Sequence, residues 1–152
     1  MLRQTLNEAL KDAMRAKNNR AVATVRLILA ALKDRDIAAR GTGNQDGIDD
    51  AAILSMLQTM VKQRRESITM YEQGGRAELA QQEKEEIEVI EAFLPKQLDE
   101  AETREAITAL IAELGATGVK DMGKVMAELR GRFAGQMDFT RASALVREKL
   151  VS

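Results

Sequence analysis

The chain of 152 residues contains no cysteine and no histidine. It therefore cannot form disulfides, thiolate nucleophiles or Cys/His zinc sites, and it lacks the side chain that most often acts as a general base near neutral pH. No apolar run reaches the roughly 18 residues of a membrane span, and charged residues begin at Arg3. We therefore expect a cytoplasmic protein with no signal peptide, membrane partner, metal or cofactor.

Aromatic residues make up only 3% of the chain, and Pro95 is its single proline. The sequence is instead rich in Ala, Leu, Ile, Met, Glu, Lys, Arg and Gln, which are the residues that helices prefer. A chain of this length can fold as one ordinary domain or as two small ones. The composition predicts an all-α protein.

Before Pro95, apolar residues recur at steps of three and four in four segments, which is typical of amphipathic helices. The first predicted helix begins at Leu2, and the second covers about 20–39. The third runs from Asp49 or Asp50 to about Gln73, and the fourth runs from Arg76 to Phe93. We expect Ile37 on the buried side of the second helix, whereas Met56 lies off the apolar stripe of the third. Four such helices with short connections would pack as a bundle.

Pro95 marks the predicted domain boundary, because its ring biases Leu94 away from the helical region and it has no N–H to donate. Three shorter helices follow, covering Glu100–Leu114, about Lys120 to Phe133, and a last segment that begins after Asp138. Asp99 and Glu102 form a capping-box pattern before the first of these helices. We therefore predict a four-helix domain at 1–94 and a three-helix tail domain at 95–152.

The loop from Gly41 to Asp50 matches part of the EF-hand calcium pattern. With Gly47 at the required sixth position, however, Thr42 would be the first ligand and Ile53 would replace the bidentate glutamate. We predict an ordinary turn rich in Asx residues and no metal site.

A run of acidic residues in the fourth helix offers paired carboxylates for acid-base or metal chemistry. The run consists of Glu83, Glu85, Glu86, Glu88 and Glu91. The histidines that usually complete bundle metal sites are absent, and Ile87 and Ile90 occupy the inward stripe. The sequence also has no nucleophile elbow and no phosphate-binding glycine motif. We predict a solvent-exposed acidic face and no catalytic residue.

Charge is unevenly distributed although the net charge is only −1. Residues 1–40 carry nine basic and four acidic side chains, and from Lys120 onward seven basic residues face four acidic ones. A helical module with such an excess can dock on phosphates, each of which adds a salt-sensitive increment. There is no aromatic platform on which single-stranded bases would stack.

Three segments resemble a known family. They are RLILAALKDRDIAAR from Arg26, KQRRESITMYEQGGRAELAQQEKEEIEVIEAFLPKQL from Lys62, and KDMGKVMAELRGRFAGQMD from Lys120. Together these segments are similar to the GatB/YqeY family over nearly the whole chain. Residues after Pro95 also resemble the tail module of the B subunit of the tRNA-dependent amidotransferase.

The resemblance implies an all-α protein in two parts whose tail helps to hold tRNA. The positions that match, with two neighbouring cations, imply a tRNA-binding set of Lys120, Gly123, Lys124, Arg132, Gly135 and Asp138. Close helix packing by Gly123 and helix capping by Asp138 are the structural alternatives. The chain departs from the family at Phe139, where tail modules commonly have a small residue.

Three functional hypotheses follow. The first is a non-catalytic accessory protein that binds tRNA or a tRNA–enzyme complex, related to the amidotransferase, a carbon–nitrogen ligase with glutamine as amido donor, by the shared tail. The second is a protein-interaction module with no nucleic-acid role. The third, an amidotransferase in its own right, is disfavoured, because the chain lacks that enzyme's catalytic cradle, its metal-binding cysteines and the serine–lysine signature of its amidase partner.

Overall fold

A computed structural model of the chain describes residues 1–151, which form seven α-helices, one short 3-10 helix and no β-strand. The α-helices are α1 (Leu2–Arg15), α2 (Asn19–Gly41), α3 (Asp50–Gln73), α4 (Ala77–Glu91), α5 (Glu100–Leu114), α6 (Met122–Arg132) and α7 (Phe139–Val151). The 3-10 helix, Val119–Asp121, precedes α6. The predicted all-α class is confirmed.

Contacts divide the chain into two compact units, one of residues 1–94 and one that begins at Pro95. The first unit contains α1 to α4 and the second contains α5 to α7. Each unit has its own cluster of buried apolar residues. That the two units are separately folding domains remains a prediction.

Local capping explains where several helices begin and end. The side chain of Asp49 accepts a hydrogen bond from the Ala52 amide at 2.9 Å at the start of α3. Asp99 and Glu102 form the predicted capping box at the start of α5, with bonds of 2.8 and 3.1 Å. These bonds satisfy amides that have no partner inside the helix. Gly115 ends α5 in the left-handed region with φ of 65°.

The core of the first unit shows that α3 is buried on a wider face than one stripe. The largest fully buried side chains of this unit are Leu6, Ile28, Ile53, Met56, Leu57 and Ile90. Met56 is only 1% exposed, so the prediction that it lies off the packed stripe is wrong. The reason is that α3 packs against α1, α2 and α4 together, which covers several of its sides.

The buried side of α2 also differs from the prediction. Ile28 is fully buried, whereas Ile37 is 55% exposed. The row that starts at Val25 and continues through Ile28 and Leu32 arrives at Asp36, and Ile37 lies about 100° further around the helix. The predicted burial of Ile37 is therefore wrong, and a carboxylate takes the last position of the row.

Asp36 is buried because Arg3 of α1 pairs with it. The guanidinium donates two hydrogen bonds to the Asp36 carboxylate, and its Nη2 also donates to the Ile48 carbonyl at 2.7 Å. The Ile48 amide donates to Asp36 Oδ1 at 3.0 Å. At Gly47, φ is 82° and an added Cβ would lie 2.9 Å from Arg3 Nη2. This pair thus holds the loop between α2 and α3, and the loop requires glycine there.

The acidic run of α4 is not uniformly solvated, so that prediction needs correction. Glu86 is buried and accepts a hydrogen bond from Arg64 Nε of α3 at 3.1 Å. Glu83 lies 3.8 Å from the same nitrogen, and its pKa is raised by burial and by its neighbour Glu86. Glu88 is exposed. A sequence pattern cannot reveal this arrangement, because the cation that compensates the acids comes from another helix.

The second unit is a three-helix cluster around Ile107, Leu110, Val125, Leu129, Leu145 and Val146. The segment that leads into α5 is bound to the loop between α6 and α7, since the Leu98 amide donates to the Gln136 carbonyl at 2.8 Å. The Gln97 side chain donates to the Gly135 carbonyl. Within residues 1–151, no helix has the length and apolar character needed to cross a membrane.

Candidate nucleic-acid interface at the start of α6

The amino end of α6 is held in place by the turn that precedes it. Asp121 Oδ2 accepts a hydrogen bond from the Thr117 amide at 2.9 Å, which folds the turn back on itself. This bond is the main reason why the pKa of Asp121 is lowered. The 3-10 helix packs against both α6 and α7. Lys120 and Lys124 therefore project from a fixed backbone.

Lys120, Gly123 and Lys124 are all exposed. In the part of the chain that the structure describes, neither lysine forms an ion pair, although both interact electrostatically with the Asp121 carboxylate and help to lower its pKa. No side chain caps the amino end of α6. Because the amino end of a helix carries partial positive charge, these lysines add to a local potential that favours anions.

Gly123 has no packing role in this unit. A Cβ added to it would meet nothing within 4 Å, so close packing does not explain the glycine. A glycine in an exposed helix costs about 0.8–1.0 kcal/mol relative to alanine. The absent side chain leaves the backbone of α6 open to close approach from outside.

Arg132 is paired with two carboxylates of its own unit. Its Nη1 and Nη2 donate to the two oxygens of Glu113 at 2.7 and 3.0 Å, and its Nε donates to Glu128 at 3.1 Å. The bond to Arg132 lowers the pKa of Glu113. Arg132 thus joins α5 to α6, and a phosphate would have to displace two acids to reach it.

Gly135 and Asp138 have structural roles. Gly135 is buried with φ of 76°, and its carbonyl accepts the Gln97 bond described above. Asp138 Oδ1 accepts hydrogen bonds from the Thr140 amide at 2.9 Å and the Arg141 amide at 3.4 Å, so it caps α7 as predicted. Of the six residues in the expected tRNA-binding set, the exposed surface at the start of α6 therefore contains three, namely Lys120, Gly123 and Lys124.

Val119 is a residue of this surface that the sequence analysis did not include. Val119 directly precedes Lys120 in the sequence, and it is 47% exposed. The sequence carries no signal for this exposure, because a lone valine before a helix is as compatible with the core as with the surface. The exposed surface at the start of α6 therefore includes a small apolar area beside the two cations.

Comparison with known proteins identifies similar chains. The sequence model of the Yqey-like protein family (YqeY) matches residues 3–150. A protein of Eremothecium gossypii named altered inheritance of mitochondria protein 41, mitochondrial, is 32% identical over 97% of this chain and 79% of its own length. Proteins of the same name from Clavispora lusitaniae and Lachancea thermotolerans are 36% and 31% identical over 76% and 72% of this chain. Those two matches span 65% and 57% of the relatives' own lengths.

The expectation of a cytoplasmic protein is contradicted by these relatives, each of which is named as a mitochondrial protein. That expectation rested on the composition, in which no signal-peptide pattern and no long apolar run was recognised. The composition of a folded region does not encode its compartment, which explains the error.

Proposed function

Since this chain belongs to the Yqey-like protein family, we propose that it is a non-catalytic accessory protein whose second unit binds tRNA, alone or in a tRNA–enzyme complex. The observation that supports this proposal is the exposed surface of Lys120, Gly123 and Lys124, whose two lysines form no ion pair among the described residues and outnumber the neighbouring carboxylate of Asp121. The resemblance of the second unit to the amidotransferase tail module relates the proposed role to tRNA-dependent amidation.

The chemistry of this surface suits a phosphate backbone better than unpaired bases. Lysine side chains act as flexible point charges toward phosphates, and the open position at Gly123 allows the sugar–phosphate chain to approach α6. Phe133 and Phe139 pack against the buried cluster of the second unit, so they are not available for stacking. We therefore expect recognition by charge and shape, with strong salt dependence.

Substitution of Lys124 tests the proposal. We expect Lys124→Glu to weaken binding of labelled tRNA by the full-length chain roughly tenfold and to reduce the salt slope of log K by about one. Lys11→Glu is the matched control, because Lys11 is also exposed, lies in neither proposed binding surface, and gives an identical change in net charge. Affinity is measured by titration at two salt concentrations, and circular dichroism checks that helicity is retained.

Equal effects of the two substitutions would contradict a specific site at α6. Wild-type binding no stronger than that of an unrelated protein of equal net charge would end the tRNA proposal. The alternative, a protein-interaction module with no nucleic-acid role, would then account for the chain better.

The amidotransferase hypothesis has its own test. We expect the purified chain to show neither glutamine hydrolysis nor amidation of misacylated tRNA. Either activity, lost when the chain is removed by immunodepletion, would contradict a purely accessory role.

A further inference from the structure

Helix α2 has a second apolar row on the side opposite the core. Ala23, Leu27, Ala30 and Ile37 are exposed and follow one another at helical spacing, with Asp34 between the last two. The side chains of Leu27 and Ile37 are 48% and 55% exposed. The solvent side of a bundle helix is normally polar, so this row is an unusual surface for a helix whose other side already packs in a core.

A ridge of positive charge runs along one edge of this row. Arg26, Lys33 and Arg40 are spaced by seven residues, which places them in line on α2. Among the described residues, none of the three forms an ion pair, and the Arg40 side chain has only a long bond of 3.4 Å to the Gln45 carbonyl. Other arginines of the same unit are paired, since Arg3, Arg64 and Arg65 bind acids. Within the described first unit, no ion pair therefore neutralises these charges, although Arg40 also interacts electrostatically with the buried Asp36 carboxylate.

We propose that the outer face of α2 is a docking surface for an acidic amphipathic helix of a partner protein. The apolar side of that helix would cover the row around Leu27 and Ile37. Acidic residues along one edge would meet Arg26, Lys33 and Arg40, and one basic residue would meet Asp34. The ridge is about 21 Å long, so a partner helix of about four turns covers it.

Asp34 argues against the other occupants of this face. A phosphate backbone would leave unused the apolar row, within which Asp34 lies. An anionic lipid surface would have to accommodate the same carboxylate among its headgroups, which is unfavourable. In a dimer with two-fold symmetry, the ridge of one copy would face either the ridge of the other copy or the flank of the other copy's α2 that carries Arg35. In both arrangements like charges would meet. The proposal concerns the first unit alone and does not depend on tRNA binding by the second.

Photo-cross-linking locates the partner. p-Benzoylphenylalanine replaces Leu27 in the full-length chain, in cells that produce the protein naturally, and replaces Met70 of α3 in a control, since Met70 is 71% exposed. We expect position 27, and not position 70, to yield one discrete adduct. Mass spectrometry should map the cross-link to a helical segment of another protein that carries acids beside its apolar stripe.

Charge reversal in the purified pair completes the test. We expect Arg26→Glu with Lys33→Glu to weaken the complex roughly tenfold, as two exposed ion pairs of modest strength would, and we expect lysines at the matching acids of the partner to restore it. Arg130→Glu with Arg147→Glu is the control of equal charge change in the second unit.

Four results would overturn the proposal. They are no adduct at position 27, the same adducts at positions 27 and 70, an adduct only with a second copy, a lipid or an RNA, and equal weakening by the two charge reversals. Because the tRNA test uses Lys124, failure of either proposal leaves the other intact.

Discussion

At the scale of single residues, the most consequential interaction is the pair of Arg3 and Asp36. The Arg3 side chain remains 35% exposed, whereas that of Asp36 is 9% exposed. The hydrogen bonds from Arg3 lower the pKa of Asp36 to about 2, despite the opposing effect of burial. The ionised carboxylate is therefore bound more tightly in the folded chain than in the unfolded chain.

This pair predicts a pH-dependent contribution to stability. An unfolded aspartate titrates near pH ~3.9, so the stabilisation is complete above that pH and is lost as the pH falls toward 2. We expect Asp36→Asn to lower the free energy of unfolding by about 1–3 kcal/mol at neutral pH, because Arg3 loses its charged partner and the loop at Ile48 loses an acceptor. Urea unfolding of wild type and variant at pH 7 and near pH 2.5 measures the difference.

Asp34→Asn is the matched control for Asp36→Asn, since Asp34 lies two residues away on the same helix and is exposed. Its effect should stay within about 0.5 kcal/mol at both pH values. A difference between wild type and Asp36→Asn that is as large near pH 2.5 as at pH 7 would contradict the assigned role of the carboxylate.

The sequence predicted single-residue features well where the cause is local. Asp99, Glu102 and Gly115 act as their positions indicated, because a cap depends on only the next few residues. The pairs Arg3–Asp36 and Arg64–Glu86 join residues 33 and 22 positions apart. Side-chain periodicity carries no information about such partners, so neither pair was predicted and the burial of Glu86 was missed.

At the scale of the helices, α2 shows how two apolar sides mislead a prediction. Leu27 and Ile37 on one side are as apolar as Val25 and Ile28 on the other, so periodicity alone cannot assign the core side along the whole helix. That the row ending at Asp36 is the buried side of α2 becomes clear only when the structure shows that Arg3 neutralises this carboxylate.

The start of α6 is different, since its exposed lysines were predicted from charge and resemblance. The hydrogen bonds of Arg132 to Glu113 and Glu128, by contrast, could be found only from the structure.

Two adjacent substitutions in α2 distinguish the sides. Ile28→Ala removes a fully buried side chain and should lower the free energy of unfolding by about 2–5 kcal/mol. Leu27→Ala removes a half-exposed side chain and should cost less than about 1 kcal/mol. Chemical unfolding of both variants measures the contrast, and similar costs would mean that the outer row is covered in the isolated protein.

At the scale of the whole chain, the separate buried clusters predict two unfolding units. We expect thermal unfolding of the full-length chain to contain two transitions. Ile28→Ala should lower only one of them, and Asp99→Ala, which removes a cap worth roughly 1 kcal/mol, should lower only the other. Differential scanning calorimetry measures both. A single transition that both substitutions shift would show that the units fold together.

The contact between Arg3 and the loop after α2 has a consequence for how the chain tolerates shortening. Arg3 donates a hydrogen bond to the Ile48 carbonyl and pairs with Asp36, which accepts from the Ile48 amide. Removal of residues 1–3 would therefore release a loop that lies more than forty positions downstream. The Ile48 carbonyl and the buried Asp36 carboxylate would then lose the guanidinium that donates to them. Within the first unit, the first turn of α1 thus supports the loop between α2 and α3, and cleavage of the backbone just after Arg3 would disturb residues far along the chain.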